Sequence, residues 1–260
     1  MENTYGICRV SIAPLRAEPK DQAEIVSQLL FGDEVRILER SNNWLKVQQL
    51  YDAYEGYIDF KQLQPLEDAD LHNGTEFKFL APASPMNSLV LEDGSRIYLA
   101  AGSNLPGYEA GYCRLKDQVL KVDFEPLQVP EVPSTTALIK DALFFRHAPY
   151  LWGGKTLAGI DCSGFVQTVF KMAGIKLQRD ASQQALQGQT VHFLPEVVPG
   201  DVAFFDNEEG RIIHVGILLN NKEIIHASGQ VRVDPIDDQG IYNKELKRYS
   251  HKLRIIKRFF

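Results

Sequence analysis

The chain reads as a multidomain protein: two small β-barrels in series, then an α+β domain. Three observations point there. The first half strings short Val-, Ile- and Leu-rich runs between turn residues. A proline-rich stretch follows. The second half then runs helices first and antiparallel strands after. The 260 residues fit one to two domains at about 150 residues each.

The runs ICRVSIAPLRAEP, EIVSQLLFGDEVRILERS, NWLKVQQL and EGYIDFKQL are punctuated by Ala17-Glu18-Pro19, Phe31-Gly32-Asp33, Ser41-Asn42-Asn43 and Glu55-Gly56. They predict a first barrel over 1–66. FKFLAP, SLVLEDGSRIYLAAG and GYCRLKDQVLKV predict a second over 67–124, divided from the first near Leu66–Asp70, with Asp93-Gly94 as a hairpin turn. Pro126, Pro130 and Pro133 stiffen the chain and remove backbone donors, so 125–136 is an expected linker. Ser134-Thr135-Thr136 is a natural N-cap for the helix TALIKDALFFRH, which opens the α+β domain, 137–260. A Gly-rich loop YLWGGKTLAGID comes next, then a helix CSGFVQTVFKMAG ended by Gly174 and a helix around RDASQQALQGQ. Strands are expected at DVAFFD, HVGILL, EIIHAS and KLRIIKRF.

Composition is that of an ordinary globular chain, 44% hydrophobic and 24% charged, which argues against disorder. With 28 basic and 34 acidic residues the net charge is −6, which speaks against a general nucleic-acid binder. No apolar run approaches the roughly 18 residues of a membrane helix. The start, MENTYGICRV, has no basic region followed by an apolar one, so no signal peptide is visible. The expected address is cytoplasmic, or periplasmic or secreted should a leader be missing. The oligomeric state is left open.

Three cysteines without a CxxC pair make no disulfide framework. Cys8 and Cys113 sit in strand-like contexts and read as small buried hydrophobes. Cys162 differs, because it stands where the Gly-rich loop meets a helix. Unpaired N–H groups and the positive dipole end at such a terminus favour a thiolate and can hold an oxyanion. A cysteine nucleophile wants an imidazole base oriented by a third polar group. His214 and His226 each interrupt an apolar strand, and their separation suits adjacent antiparallel strands joined by Asn220-Asn221-Lys222. Singly, each reads as a satisfied core histidine; with Cys162 they make a constellation. Zinc held by Cys162, His214 and His226 is open by residue type but ranks lower for want of a close ligand pair. His72, His147, His192 and His251 read as surface or packing residues.

The last ~130 residues resemble the NlpC/P60 cysteine peptidases. The matching stretches are Pro149-Tyr150-Leu151-Trp152-Gly153-Gly154, Asp161-Cys162-Ser163-Gly164-Phe165-Val166, Pro199-Gly200-Asp201-Val202, His214-Val215-Gly216-Ile217 and Ile225-His226-Ala227-Ser228. The first half resembles two bacterial SH3-type domains, through Phe31-Gly32 before Val35, Trp44-Leu45-Lys46-Val47 and Gly56-Tyr57-Ile58. The resemblance implies a papain-like fold, with Cys162 as nucleophile, His214 as general base, His226 orienting it and Tyr150 supporting the oxyanion. It implies no metal or organic cofactor. Its γ-D-glutamyl-diamino acid endopeptidase subgroup implies a murein-peptide substrate with a free N-terminal L-Ala, cut two residues in, as in cell-wall recycling. Asp161, Ser163, Ser182 and Trp152 are then expected around the amine, closed off by Glu18 and Tyr54 of the first SH3-type domain. Asp161 reads equally as a helix cap. An amidase or acyltransferase on another amide, or a non-catalytic wall-binding module, are the alternatives.

Overall fold

The computed structural model describes residues 4–67, 71 and 78–260. His72 and most of the Leu66–Asp70 division lie outside the described residues. The chain forms two compact units, Met1–Val129 and Pro130–Phe260.

In the first unit a seven-stranded antiparallel sheet has the order Ile25–Leu30, Ile12–Arg16, Glu55–Asp59, Trp44–Gln49, Glu34–Ser41, Tyr5–Cys8, Leu63–Leu66. Alternation explains it: Leu45 and Val47 point inward with Ala13, Leu15, Val35 and Ile58 to make one core. A four-stranded sheet follows, ordered Arg96–Tyr98, Ser88–Val90, Gln118–Val122, Tyr112–Leu115. Its core is continuous with Ile7, Phe31 and Leu66, so the two halves share one apolar cluster. Asn104 fastens them: its backbone N–H donates to Phe31 O, and its amide donates to Gly32 O and Asp33 Oδ1. Gly32 has φ +79, and a Cβ there would lie 2.7 Å from Asn104 O, so the turn requires glycine. Within 125–136, Leu127–Gln128 pairs with Phe79–Leu80, and the first helix of the second unit begins at Thr135.

The second unit carries three α-helices among the described residues: α1 (Thr135–Phe144), α2 (Cys162–Met172) and α3 (Ala181–Gln184). Its antiparallel sheet has the order Gln189–Val191, Arg248–Arg258, Val202–Asp206, Ile212–Asn220, Glu223–Ser228, Gln230–Pro235, with Gly240–Asn243 also on Arg248–Arg258. Ser134 caps α1, accepting from Ala137 N–H. Every residue of α2 is buried, which makes it a central helix. It packs on α1 and on the strands Ile212–Asn220 and Glu223–Ser228. Gly174 ends it at φ +80 in a Schellman motif: Ile175 N–H donates to Phe170 O and Gly174 N–H to Lys171 O. The helix expected around RDASQQALQGQ is only the short α3. The buried Gln184 side chain donates to Ser163 O and Gln178 O, and the chain turns at Gly188 (φ +69).

Candidate active site

Cys162 is the first residue of α2, with Asp161 as N-cap. The YLWGG loop lies directly over this first turn. A Cβ on Gly164 would come within 2.3 Å of Gly154 O, so only glycine permits the approach. Asp161 is saturated. Its Oδ1 accepts from Gly164 N–H (2.6 Å), Ser163 Oγ (3.3 Å) and Arg179 Nη1 (3.1 Å); its Oδ2 accepts from Gly153 N–H (2.9 Å) and Arg179 Nη2 (2.6 Å). Arg179 also donates to Ser163 Oγ at 2.9 Å. A carboxylate offers about four lone-pair sites, and these donors fill them. Of the two readings the sequence leaves open for Asp161, the hydrogen bonds realise the cap. Arg179, 1% exposed, makes it a buried ion pair.

Cys162 is 7% exposed. Burial pushes the Cys162 thiol up to about 12, with Asp161 adding to it; Arg179 and the backbone N–H groups of Ser163 and Val215 pull the other way. Desolvation thus opposes the thiolate that the helix terminus favours. Burial also holds the His214 imidazole well below its ordinary range, helped by His226 and His251. Burial thus opposes charge on both the Cys162 thiol and the His214 imidazole.

The histidines come together through strand register. Gly216 pairs with His226, which puts His214 and His226 on one face of the sheet. A Cβ at Gly216 would sit 2.8 Å from His226 Cβ, so this glycine makes room for the ring. His214 Nε2 lies 2.8 Å from His226 Nδ1, and His226 Nε2 lies 3.0 Å from Asp234 Oδ2. Arg232 holds Asp234 through Nε (2.7 Å) and Nη2 (3.0 Å), and Arg232 Nη1 reaches Glu245 at 3.4 Å. Burial opposes charge on Asp234, but hydrogen bonds from His226 and Arg232 prevail and hold its carboxyl below the usual range.

His251, read from the sequence as a surface or packing residue, packs against the site. It is no bystander, because its ring stacks on His214 with centroids 4.0 Å apart and planes at 22°. Burial pushes it down to about 4. The ring nitrogens of His214, His226 and His251 lie within 4.8 Å of one another, a set that suits a metal by type. The 2.8 Å between His214 and His226 is a hydrogen bond, however, and shorter than the roughly 3.3 Å between two ligands of a tetrahedral zinc.

Tyr150 is half-buried, with N–H donating to Gly229 O and a bridge to Ile160. Burial, with Cys162 and Asp161 nearby, pushes its phenol up to about 12, so it stays a neutral donor. Trp152 is 60% exposed on the loop, and Ser182 is exposed on α3. Ser163 is buried in the Asp161–Arg179 cluster. Glu18 and Tyr54 belong to the first unit. Glu18 pairs with Lys20 at 2.7 Å on an exposed turn, and Tyr54 N–H donates to Asp52 in the turn before Glu55–Asp59.

Arg179, Asp234 and His251 are the residues that sequence reasoning missed. Asp234 had a signal: Ser228-Gly229-Gln230 is a tight hairpin, with Gly229 at φ +71, and its register puts residues 226 and 234 on one face. Arg179 and His251 had none, since only folding brings them to the first turn of α2 and to His214.

A model of the NlpC/P60 family matches residues 147–250, and a model described as the bacterial dipeptidyl-peptidase Sh3 domain matches residues 15–63. The Gamma-D-glutamyl-L-lysine dipeptidyl-peptidase of Bacillus subtilis (strain 168) is 30% identical over 241 residues, covering 85% of this chain and 79% of that one. The chain belongs to the NlpC/P60 family. Dipeptidyl-peptidase 6 of Lysinibacillus sphaericus is 29% identical over 267 residues, covering 90% of this chain and 93% of that one. A solved NlpC/P60 family protein from Bacillus cereus ATCC 10987 shares the fold at TM-score 0.79 and 20% identity, covering 98% of this chain and 99% of that one. The organisation is thus an SH3-like domain followed by an NlpC/P60 domain. His251 falls just past the NlpC/P60 match. No helix among the described residues is long and apolar enough to cross a membrane.

Proposed function

We propose that this NlpC/P60 protein is a cysteine endopeptidase that hydrolyses the γ-D-glutamyl-diamino acid bond of murein peptides bearing a free N-terminal L-Ala, in cell-wall peptide recycling. The observation that carries it is the constellation at α2: Cys162 on the helix N-terminus, facing the Val215 N–H, with His214 hydrogen-bonded to His226. The names of the Bacillus subtilis and Lysinibacillus sphaericus relatives support the substrate class.

Cys162 is the nucleophile and His214 the base. The Sγ proton passes to His214 as sulfur attacks the carbonyl carbon. First-turn N–H groups and the Tyr150 hydroxyl hold the oxyanion. The C–N bond breaks as His214 returns the proton to the leaving amine, and water then hydrolyses the thioester. Trp152 and Ser182 line the amine pocket beside Asp161 and Ser163, which also hold the helix that presents the sulfur. In this reading 1–66 and 67–124 are both SH3-like, 125–136 links them to 137–260, and the protein works in the cytoplasm.

Cys162→Ala is expected to abolish cleavage of L-Ala-γ-D-Glu-diaminopimelate while the melting curve stays that of the wild type. Undiminished turnover in that variant removes the nucleophile assignment. Acetylating the peptide amine is expected to lower kcat/KM severely; equal values for free and acetylated peptides remove the amine pocket and leave the peptidase.

A further inference from the structure

The chain His214–His226–Asp234–Arg232 has a direction. The Asp234 carboxylate can only accept: Arg232 donates to its Oδ1 through Nη2 at 3.0 Å, and the guanidinium Nε lies 2.7 Å from Oδ2 as an ion pair. The contact at Asp234 Oδ2, 3.0 Å from His226 Nε2, therefore needs the proton on His226 Nε2. A neutral His226 then has a bare Nδ1, which must accept. Its partner, 2.8 Å away, is His214 Nε2, which must therefore donate. A neutral His214 protonated at Nε2 keeps its lone pair on Nδ1, outside the chain. One carboxylate at the far end thus decides which nitrogen of His214 can take a proton.

We propose that Asp234, held in place by Arg232, is a positioning residue that fixes the tautomers of both histidines and so makes His214 Nδ1 the basic nitrogen. This rests on the peptidase reading for its consequence in catalysis, but not for the tautomers themselves. When His214 gains the Sγ proton, the resulting cation faces His226, backed by the Asp234 carboxylate, rather than an unpaired buried ring. The burial supports the assignment: His226 is 1% exposed and Asp234 4%, so water does not compete for these contacts. The charged and titratable groups around the chain are Cys162 on α2, Arg232 on the neighbouring strand, Glu245 beyond it and His251 on Arg248–Arg258.

The test is the nitrogen-15 spectrum of histidine-labelled full-length protein at neutral pH, with kinetics on the same samples. In the wild type both His214 and His226 are expected as Nε2–H tautomers with unprotonated Nδ1. A proton on Nδ1 of either ring overturns the proposal without recourse to any variant. In Asp234→Ala the Nε2–H preference of both rings is expected to be lost, and kcat to fall about 10²- to 10⁴-fold with KM nearly unchanged. Asp234→Asn, which keeps an acceptor oxygen but not the charge, is expected to recover part of kcat. Unchanged tautomers in Asp234→Ala, or kcat within threefold of the wild type, overturn it. A wild type with no peptidase activity but with the expected tautomers defeats the functional reading alone.

Discussion

Asp33 in the first unit and Asp161 in the second are both buried carboxylates that hold a turn against a neighbouring segment. Asp33 does so with neutral donors: Leu30 N–H at 2.9 Å, the Gln49 amide at 3.0 Å and the Asn104 amide at 2.7 Å. Asp161 uses two backbone N–H groups, a hydroxyl and the full fork of Arg179. The first arrangement fastens one half of the unit to the other. The second stands beside Cys162 and couples the first turn of α2 to the segment before α3. Neutral donors suffice where the task is to hold. A buried cation appears where the potential at a sulfur also matters, since Arg179 opposes the upward push on the Cys162 thiol.

That contrast can be broken by substitution. Arg179→Met leaves Asp161 charged, buried and short of two donors. It is expected to destabilise the protein by about 3–5 kcal/mol, read from urea unfolding, and to lower activity with it. A loss below about 1 kcal/mol would mean that Asp161 is held well enough by backbone donors alone, as a surface pair would be. Asn104→Ala removes amide bonds to Asp33 and Gly32 and is expected to cost about 1–3 kcal/mol, with kcat on the murein peptide unchanged. A fall in kcat at full folding would break the division between fastener and machinery.

The smallest effect concerns pH. His214 and His251 have folded values below the ordinary 6.5, with His251 at about 4. Between about 4 and 6.5 the unfolded chain binds more protons at these rings, so native stability is complete above about 6.5 and declines as pH falls through that window. His251→Asn is expected to make the decline of Tm between pH 6.5 and 4 shallower. Parallel curves for variant and wild type would place the acid sensitivity elsewhere in the molecule.

Sequence went far with local features. Ser134 and Asp161 cap the helices they precede, the loop glycines sit where backbone crowds backbone, and the strand carrying His214 lies next to that carrying His226. It placed α3 but overstated its length, since the Gln184 side chain and the turn at Gly188 override helical patterning. It read His251 only as a surface or packing residue, because nothing in SHKLRI marks a ring that will stack on another strand's imidazole.

By itself, then, the sequence determined the helix that presents Cys162, the caps and glycines that let the loop close over it, and two histidines on neighbouring strands. These depend on backbone stereochemistry and short-range hydrogen bonds, which neighbouring residues specify. Tertiary structure alone decided that Arg179 pairs with Asp161, that Asp234 stands behind His226, and that burial opposes charge on thiol and imidazole. Those depend on desolvation and on contacts between segments distant in the chain, which exist only once the sheet has paired and α2 has been buried against it.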